Sequence, residues 1–337
     1  MRINKKIIAI LGFLVFVSLA NAQGLLGDRF LGLRLFSSQP NFVFDDKSDL
    51  NKKLEAIERF KKLLEAPPIR VPVLTPTPVT PPANVDPRIV GRYKSGPWNV
   101  IETANSRIFY GGSISKSKAE EISKIIEQTR LDQLQKIGLP TTDWSKKVDI
   151  FIYDLNEVYT KMTGQGAASP GHSQTAIDKG LVVSRRIDLR GNYDQVVRAV
   201  FPHELSHIVV ADKFLKNPCP RCFDEGLAVL FEPADRRDVH YKNLKDQING
   251  GTRLYSAKQI VEMKDYPPGP QWPLFYAEST ALSEFLSQKT SIENLTDFIL
   301  AVQRTGYDQA VQKYYQTSPQ ELQRQFDQWV QKNIVGR

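Results

Sequence analysis

The chain has little cysteine, little histidine and few long apolar runs. Its 337 residues include 2 Cys, 4 His and 3 Met. Two cysteines exclude a small domain built on several disulfide bonds. Beyond the first 22 residues, no stretch contains the roughly 20 consecutive apolar residues that a membrane-spanning helix needs. Lysine and arginine are scattered among acidic residues without a dense basic cluster, which argues against a nucleic-acid partner.

The rest of the composition is typical of a globular protein with two domains at most. Hydrophobic residues make up 41% of the chain and can fill a sizeable core. Charged residues make up 24% and keep the surface hydrated. A disordered or fibrous chain is therefore disfavoured.

The first 22 residues have the pattern of an export signal. Three basic residues are followed by an apolar run over residues 7–19, and Ala20 to Ala22 has small residues at the positions required for cleavage. We predict a signal peptide over residues 1–22, a mature chain beginning at Gln23, and a secreted, periplasmic or cell-envelope location. An uncleaved membrane anchor is the alternative.

Two further segments precede the main domain. In the N-terminal segment, residues 23–66, Leu50, Leu54, Ile57 and Leu64 recur at helical spacing and predict one amphipathic helix over residues 49–65. This helix packs on the main domain, inhibits it as a prosegment or forms a dimer contact, and these alternatives stay open. Residues 67–90 contain 8 of the 21 prolines and predict an extended linker.

Residues 91–337 form the predicted main domain, of class α+β. Strands precede helices, which favours a small mixed sheet with helices as an upper part and a mainly helical lower part. Strands are predicted as a pair over residues 100–110 and singly at 148–153 and 181–189, a long helix at 115–137 and a mobile loop at 163–171. Further helices are predicted at 194–211, 224–232, 275–288, 292–303 and 318–333.

The segment from Phe201 to His207 contains the motif H-E-x-x-H. On a helix, His203 and His207 lie on one face about one turn apart, so both imidazoles can bind one metal ion. Glu204 then lies beside the ion and not on it. Asp194 is a candidate N-cap, and Pro202 predicts a kink or a late helix start, because proline lacks an amide donor. The alternative is a pair of histidines that are merely packed or solvated.

A catalytic zinc ion usually takes three protein ligands, so the motif needs one more. Glu225 lies 18 positions after His207, in the first turn of a predicted helix that Asp224 can cap. A carboxylate in a first turn often only compensates the helix dipole, and spacing alone leaves that alternative open.

The segment His203-Glu-Leu-Ser-His207, followed by 16 residues and then Asp-Glu-Gly-Leu-Ala, resembles the gluzincin clan of zinc metallopeptidases. The likeness is to peptidase-MA-like domains of secreted proteins, and it extends over roughly residues 98–335. It implies a zincin-like fold with the motif on a central helix, and one Zn²⁺ bound by His203, His207 and Glu225. It also implies Glu204 as general base and a peptide or protein as substrate. The metzincin pattern is excluded, since Val210 and Lys213 replace its glycine and third histidine.

Two further residues are candidates for roles at such a site. Tyr276 opens a Tyr-x-x-Ser segment similar to one in these domains, and we predict it as the donor to the oxyanion. Packing at a helix start is its alternative role. Glu232, seven residues after Glu225, is placed to orient a zinc-bound imidazole, or else is a solvated acid. Asp224 is predicted as a cap and not as a catalytic group.

Four other side chains have weaker predictions. His172, in the glycine-rich loop, either contacts substrate or is solvated. His240 follows a charged run and receives no role. Cys219 and Cys222 are predicted to form a local disulfide in an exported protein. The strand over residues 181–189 is a candidate for the edge of the substrate cleft, where extended peptides pair with a sheet.

The sequence therefore predicts an exported zinc-dependent peptidase, with no choice between internal and terminal cleavage. A peptidase-like module that binds zinc or a protein partner without turnover is the alternative. A scaffold protein of the cell envelope is a third possibility, and it predicts no zinc in the purified protein.

Overall fold

The structure is a computed structural model that describes residues 33–37, 89–166, 169–191 and 196–336. The predicted signal peptide, the amphipathic helix over residues 49–65, most of the proline-rich linker and Asp194 lie outside these residues. The linker was predicted to extend to residue 90, but a strand already begins at Ile89.

One mixed sheet of seven strands forms the upper part of the domain, in the order β1-β6-β7-β5-β4-β3-β2. The strands are β1 (Leu33–Ser37), β2 (Ile89–Ser95), β3 (Trp98–Thr103), β4 (Ser106–Tyr110), β5 (Val148–Tyr153), β6 (Gly171–Asp178) and β7 (Leu181–Arg190). Strand β5 runs parallel to both of its neighbours, β4 and β7, and the other pairs are antiparallel. The predicted strands at 100–110, 148–153 and 181–189 are confirmed.

One face of the sheet is apolar because side chains alternate along each strand. Ile101 pairs with Ile108, and Ile150 pairs with both Ile108 and Ile187 in register. All four side chains are fully buried. This row of β-branched residues forms the floor of the core on which the helices pack.

Helix α1 (Lys116–Ile137) begins and ends where its sequence provides caps. The side chain of Ser115 accepts a hydrogen bond from the Lys118 N–H at the start. Gly138 ends the helix in the left-handed conformation, with a φ of 76°. The predicted helix over residues 115–137 is thus confirmed almost to the residue.

Helices dominate the rest of the domain. They are α2 (Asn156–Thr163), α3 (Phe201–Lys213), α4 (Arg221–Leu230), α5 (Ala234–Asn249), α6 (Ala257–Glu262), α7 (Trp272–Lys289), α8 (Ile292–Thr305), α9 (Tyr307–Tyr315) and α10 (Pro319–Val330). The predicted helices at 224–232, 275–288, 292–303 and 318–333 correspond to α4, α7, α8 and α10. Helices α2, α5, α6 and α9 were not predicted.

The helix with the H-E-x-x-H motif starts late, as Pro202 predicted. A short π-helical turn, Val196–Val200, comes first, and α3 begins at Phe201 with Pro202 in its first turn. A missing amide hydrogen is tolerated there, because the first amides of a helix have no acceptor within it. The prediction of one α-helix over residues 194–211 is wrong for residues 196–200, and Val200 occupies the N-cap position.

The prediction that the strand over residues 181–189 forms an edge is wrong for residues 185–189. That part of β7 pairs with β6 on one side and β5 on the other, whereas residues 181–184 lie beside β6 alone. The strand between β7 and β1 is β6, which was not predicted because its residues, Gly-His-Ser-Gln-Thr-Ala-Ile-Asp, are mostly small or polar.

The described residues therefore form a mixed α+β domain, as predicted. Among them, no helix combines the length and the apolar character needed to cross a bilayer.

Candidate metal centre

Helix α3 brings both motif histidines into the interior. The His203 and His207 rings lie 5.0 Å apart between centroids, and the His207 residue is 7% exposed. The helix is anchored at its start, where Gln133 Nε2 donates to the Pro202 carbonyl at 2.7 Å. Near its end, Arg185 pairs with Asp212 at 2.6 Å, with both side chains largely buried.

Helix α4 supplies the carboxylate. It begins at Arg221, with Pro220 at the N-cap and no capping side chain, so Asp224 is not the cap that was predicted. Glu225 lies in the second turn and is fully buried. The next residue, Gly226, lets α4 approach α7 closely, since a Cβ there would lie 2.4 Å from the Ser279 carbonyl oxygen.

The two imidazoles and this carboxylate meet at one point. Glu225 Oε2 lies 3.6 Å from His203 Nε2 and 3.9 Å from His207 Nε2. One ligand atom from each of the three residues lies within 4.8 Å of the other two. The structure thus brings together the three residues that were predicted as metal ligands.

Each imidazole is held from its other nitrogen by a carboxylate. His203 Nδ1 lies 2.7 Å from Glu232 Oε1, and His207 Nδ1 lies 2.9 Å from Asp224 Oδ1. A hydrogen bond at Nδ1 directs Nε2 toward Glu225 in both rings. The predicted contact of Glu232 with an imidazole is confirmed, and Asp224 has the same function for the second ring.

The same contacts determine the protonation of the pairs. Burial lowers the pKa of His203, but the nearby Glu225 carboxylate and the hydrogen bond with Glu232 outweigh burial and raise that pKa well above its usual value. The pKa of His207 is also raised, because Asp224 outweighs burial. Burial raises the pKa values of Asp224 and Glu232, yet the imidazoles lower both overall. Both orienting carboxylates therefore stay ionised at neutral pH.

Glu204 lies on the strand side of the centre. Its Oε2 accepts a hydrogen bond from Ser173 Oγ at 2.8 Å, and the residue is 2% exposed. Gly171 makes room for it, because a Cβ at Gly171 would lie 2.9 Å from Glu204 Cγ and Oε1. Strand β6 therefore fixes the carboxylate predicted as the general base.

Tyr276 lies in the first turns of α7, next to the cluster. Its ring stacks on those of Tyr266 and His240, each 6.4 Å away between centroids. Burial and the charge of Glu225 raise the pKa of Tyr276, with a smaller contribution from Glu204. The phenol therefore keeps its proton and remains a donor.

Tyr266 was missed by the sequence analysis. It follows α6, and its hydroxyl donates a hydrogen bond to Glu225 Oε1. Burial and the Glu225 carboxylate raise its pKa well above the usual value. A lone tyrosine before two prolines matches no ligand spacing, so sequence alone had no signal for it.

Buried polar atoms that lack a hydrogen-bond partner indicate whether a metal ion fits the cluster. His207 Nε2 and Glu225 Oε2 are buried and have no hydrogen-bond partner among the described residues. Two ligand atoms on a tetrahedral zinc ion are about 3.3 to 3.5 Å apart, given bond lengths near 2.0 to 2.1 Å. The distances from Glu225 Oε2 to the two nitrogens are within a few tenths of an ångström of that value. The donor set, two imidazoles and a carboxylate, is also one that zinc accepts.

The other residues singled out in the sequence are not among the three that converge. His172 is a strand residue of β6 and is 3% exposed, so the description of a solvated loop histidine is wrong. Cys219 and Cys222 are both buried and both free, so the predicted disulfide is not formed in this structure. His240, which received no role, contacts the Tyr276 ring.

Comparison with known proteins does not assign the chain to a family. No family model matches it, and no curated protein is significantly similar to it in sequence. The functional argument therefore depends on the geometry of the cluster.

Proposed function

We propose that this chain is an exported, zinc-dependent peptidase of the gluzincin type, with a zincin-like domain. The observation that carries the proposal is the convergence of His203 Nε2, His207 Nε2 and Glu225 Oε2. Glu204 follows His203 directly on helix α3. Export is proposed from the residues that precede the domain.

His203, His207 and Glu225 are the residues that would hold the metal ion. A bound zinc ion supplies Lewis acidity, which acidifies a water molecule and polarises a carbonyl oxygen. Asp224 and Glu232 keep the imidazoles oriented through their Nδ1 atoms.

Glu204 is proposed as the general base. Its carboxylate accepts a proton from the attacking water and later delivers this proton to the amine nitrogen of the leaving group. The hydrogen bond from Ser173 to Oε2 fixes the carboxylate plane for this transfer.

Tyr276 is proposed as the hydroxyl donor to the developing oxyanion. Its raised pKa keeps the phenol protonated, and its position beside Glu225 places it at the centre. This role requires the Tyr276 hydroxyl, and it does not require that Tyr276 contribute to zinc binding.

The deciding experiment combines metal analysis with an assay on unfolded protein substrates. We expect zinc in the wild type and in Glu204→Gln, hydrolysis only in the wild type, and weaker metal retention in Glu225→Ala. Glu284→Gln changes a largely buried acid on a different helix, α7, and serves as the matched control, which should retain both properties.

Two outcomes would contradict the proposal. Hydrolysis that persists in Glu204→Gln would remove the mechanism. Bound zinc without hydrolysis of any substrate would favour the alternative function, a peptidase-like module that binds zinc or a protein partner without turnover.

A further inference from the structure

Tyr266 occupies a position at the centre that no ligand motif accounts for. It lies in the connection between α6 and α7, 41 residues after Glu225, and donates a hydrogen bond to Glu225 Oε1. The opposite oxygen, Oε2, is the one that faces the two imidazoles. The two oxygens of one carboxylate thus have different neighbours.

Aromatic neighbours fix the Tyr266 ring. Phe275 contacts it edge-on at 5.7 Å, and Trp272 lies 6.2 Å away, both measured between ring centroids. The guanidinium of Arg221 lies over the ring, 5.4 Å from its centroid. With a rigid ring held on several sides, the hydroxyl has little freedom to leave Glu225.

The backbone around Tyr266 is fixed as well. Trp272 Nε1 donates to the Pro267 carbonyl at 2.7 Å, and Pro267 and Pro268 restrict the chain directly after the tyrosine. The connection that carries the hydroxyl is therefore restrained directly after Tyr266.

A glutamate side chain has three torsions, and a buried one needs an outside contact to choose among their rotamers. Glu225 is 0% exposed, so bulk solvent does not supply that contact. The Tyr266 hydroxyl does so by engaging Oε1. It leaves Oε2 as the one oxygen directed at His203 and His207, which favours a single-oxygen contact with an ion.

We propose that Tyr266 is a positioning residue that holds Glu225 in the orientation required for metal binding. This inference rests on the proposed function, because it deepens the same site. The inference gives the two stacked tyrosines different roles. Tyr266 acts through a metal ligand, and Tyr276 acts on the substrate.

The test is the zinc affinity of the full mature chain, measured by competition with a chromophoric chelator. Tyr266→Phe keeps the ring and removes only the hydroxyl. Loss of a hydrogen-bond partner of a ligand typically weakens metal binding 10- to 100-fold, and we expect a loss of about that size. Tyr255→Phe is the matched control, since its hydroxyl bonds to Gln271 on the surface, and it should bind zinc as the wild type does.

A double-mutant cycle distinguishes positioning from general packing. If Tyr266 acts through Glu225, then adding Tyr266→Phe to Glu225→Ala should change zinc affinity less than about twofold. A loss of the same size in both backgrounds would mean that the hydroxyl stabilises the domain as a whole, and the proposal would be wrong.

Other outcomes are equally decisive. Wild-type zinc affinity in Tyr266→Phe overturns the inference but leaves the proposed function intact, whereas a wild-type chain that binds no zinc refutes both. If Tyr266→Phe does not fold, Trp272→Phe replaces it, since this variant loosens the connection and keeps the hydroxyl. We expect it to weaken zinc binding severalfold, and unchanged affinity would count against the inference.

Discussion

The close contact between α4 and α7 at Gly226 yields a prediction whose size follows from the structure. In Gly226→Ala, the new Cβ would lie 2.2 Å from Ser283 Oγ and 2.4 Å from the Ser279 carbonyl oxygen. The serine hydroxyl can rotate away, but the carbonyl oxygen belongs to the backbone of α7. Ordinary contact begins near 3.4 Å, so the two helices must separate by about 1 Å.

This separation acts directly on the metal centre, because Glu225 is the preceding residue. Metal–ligand distances tolerate deviations of only about 0.2 Å, so a 1 Å displacement of the carboxylate should remove most of its contribution. Overpacking of this kind also costs about 1 to 3 kcal/mol of unfolding free energy. We expect Gly226→Ala to lower the melting temperature and to weaken zinc binding at least tenfold.

The assay pairs thermal unfolding of the metal-free chain with chelator competition for zinc. Gly269→Ala is the control, since a Cβ there meets no atom within 4 Å and the glycine does not have a positive φ. Adding Ser283→Ala to Gly226→Ala should not restore either property, because the Ser279 carbonyl remains. Wild-type stability and zinc affinity in Gly226→Ala would refute the reasoning.

Three further predictions concern the surroundings of the centre. Burial raises the pKa of Glu278 to about 8, against 4.5 as its usual value, so only the folded state keeps this proton between those pH values. Stability should therefore fall by up to about 1.4 kcal/mol per pH unit as pH rises from 5 to 8, and melting curves of Glu278→Gln should lack that part of the slope. Gly171→Ala should retain zinc but lose peptidase turnover, because the added Cβ crowds Glu204, and unchanged turnover would contradict this. Asp224→Asn should weaken zinc binding about 10- to 100-fold in the chelator assay, since it removes the carboxylate on His207 Nδ1, and equal affinity would remove its orienting role.

The sequence predicted those parts of the fold that are determined by local pattern. Helix α1 was predicted over residues 115–137, and the structure shows the local signals that bound it, a serine cap at its start and a glycine at its end. Strand β6 was missed because its side chains are small or polar. These residues form a strand because they pair with β7 and because α3 packs closely against them. Neither contact can be inferred from the eight residues themselves.

The residues of the metal centre divide in the same way: some could be predicted from local sequence, and others only from the tertiary structure. The pair His203 and His207 follows from one turn of helix. Glu225 was a candidate from its position after the motif, and the resemblance favoured it as the third ligand. Asp224 was misread as a cap, because an acid near a helix start has two explanations and local sequence cannot choose between them. Tyr266 and Ser173 reach the centre from distant segments, so only the tertiary structure identifies them.

The charge of the cluster is a further reason to expect a bound cation. Glu204, Asp224, Glu225 and Glu232 surround two imidazoles, and none of these four side chains is more than about a tenth exposed. Arg221 contacts Asp224 only at 3.4 Å, and Arg236 reaches Glu232 from an exposed position at 3.3 Å. Buried carboxylates need compensating positive charge, because an unpaired buried ion costs several kcal/mol. In the metal-free chain the imidazoles of His203 and His207 supply part of that charge, since the pKa values of both rings are raised. A divalent ion held by both Nε2 atoms and Glu225 Oε2 would supply it in place of the protons, at the position where His207 Nε2 and Glu225 Oε2 have no hydrogen-bond partner among the described residues.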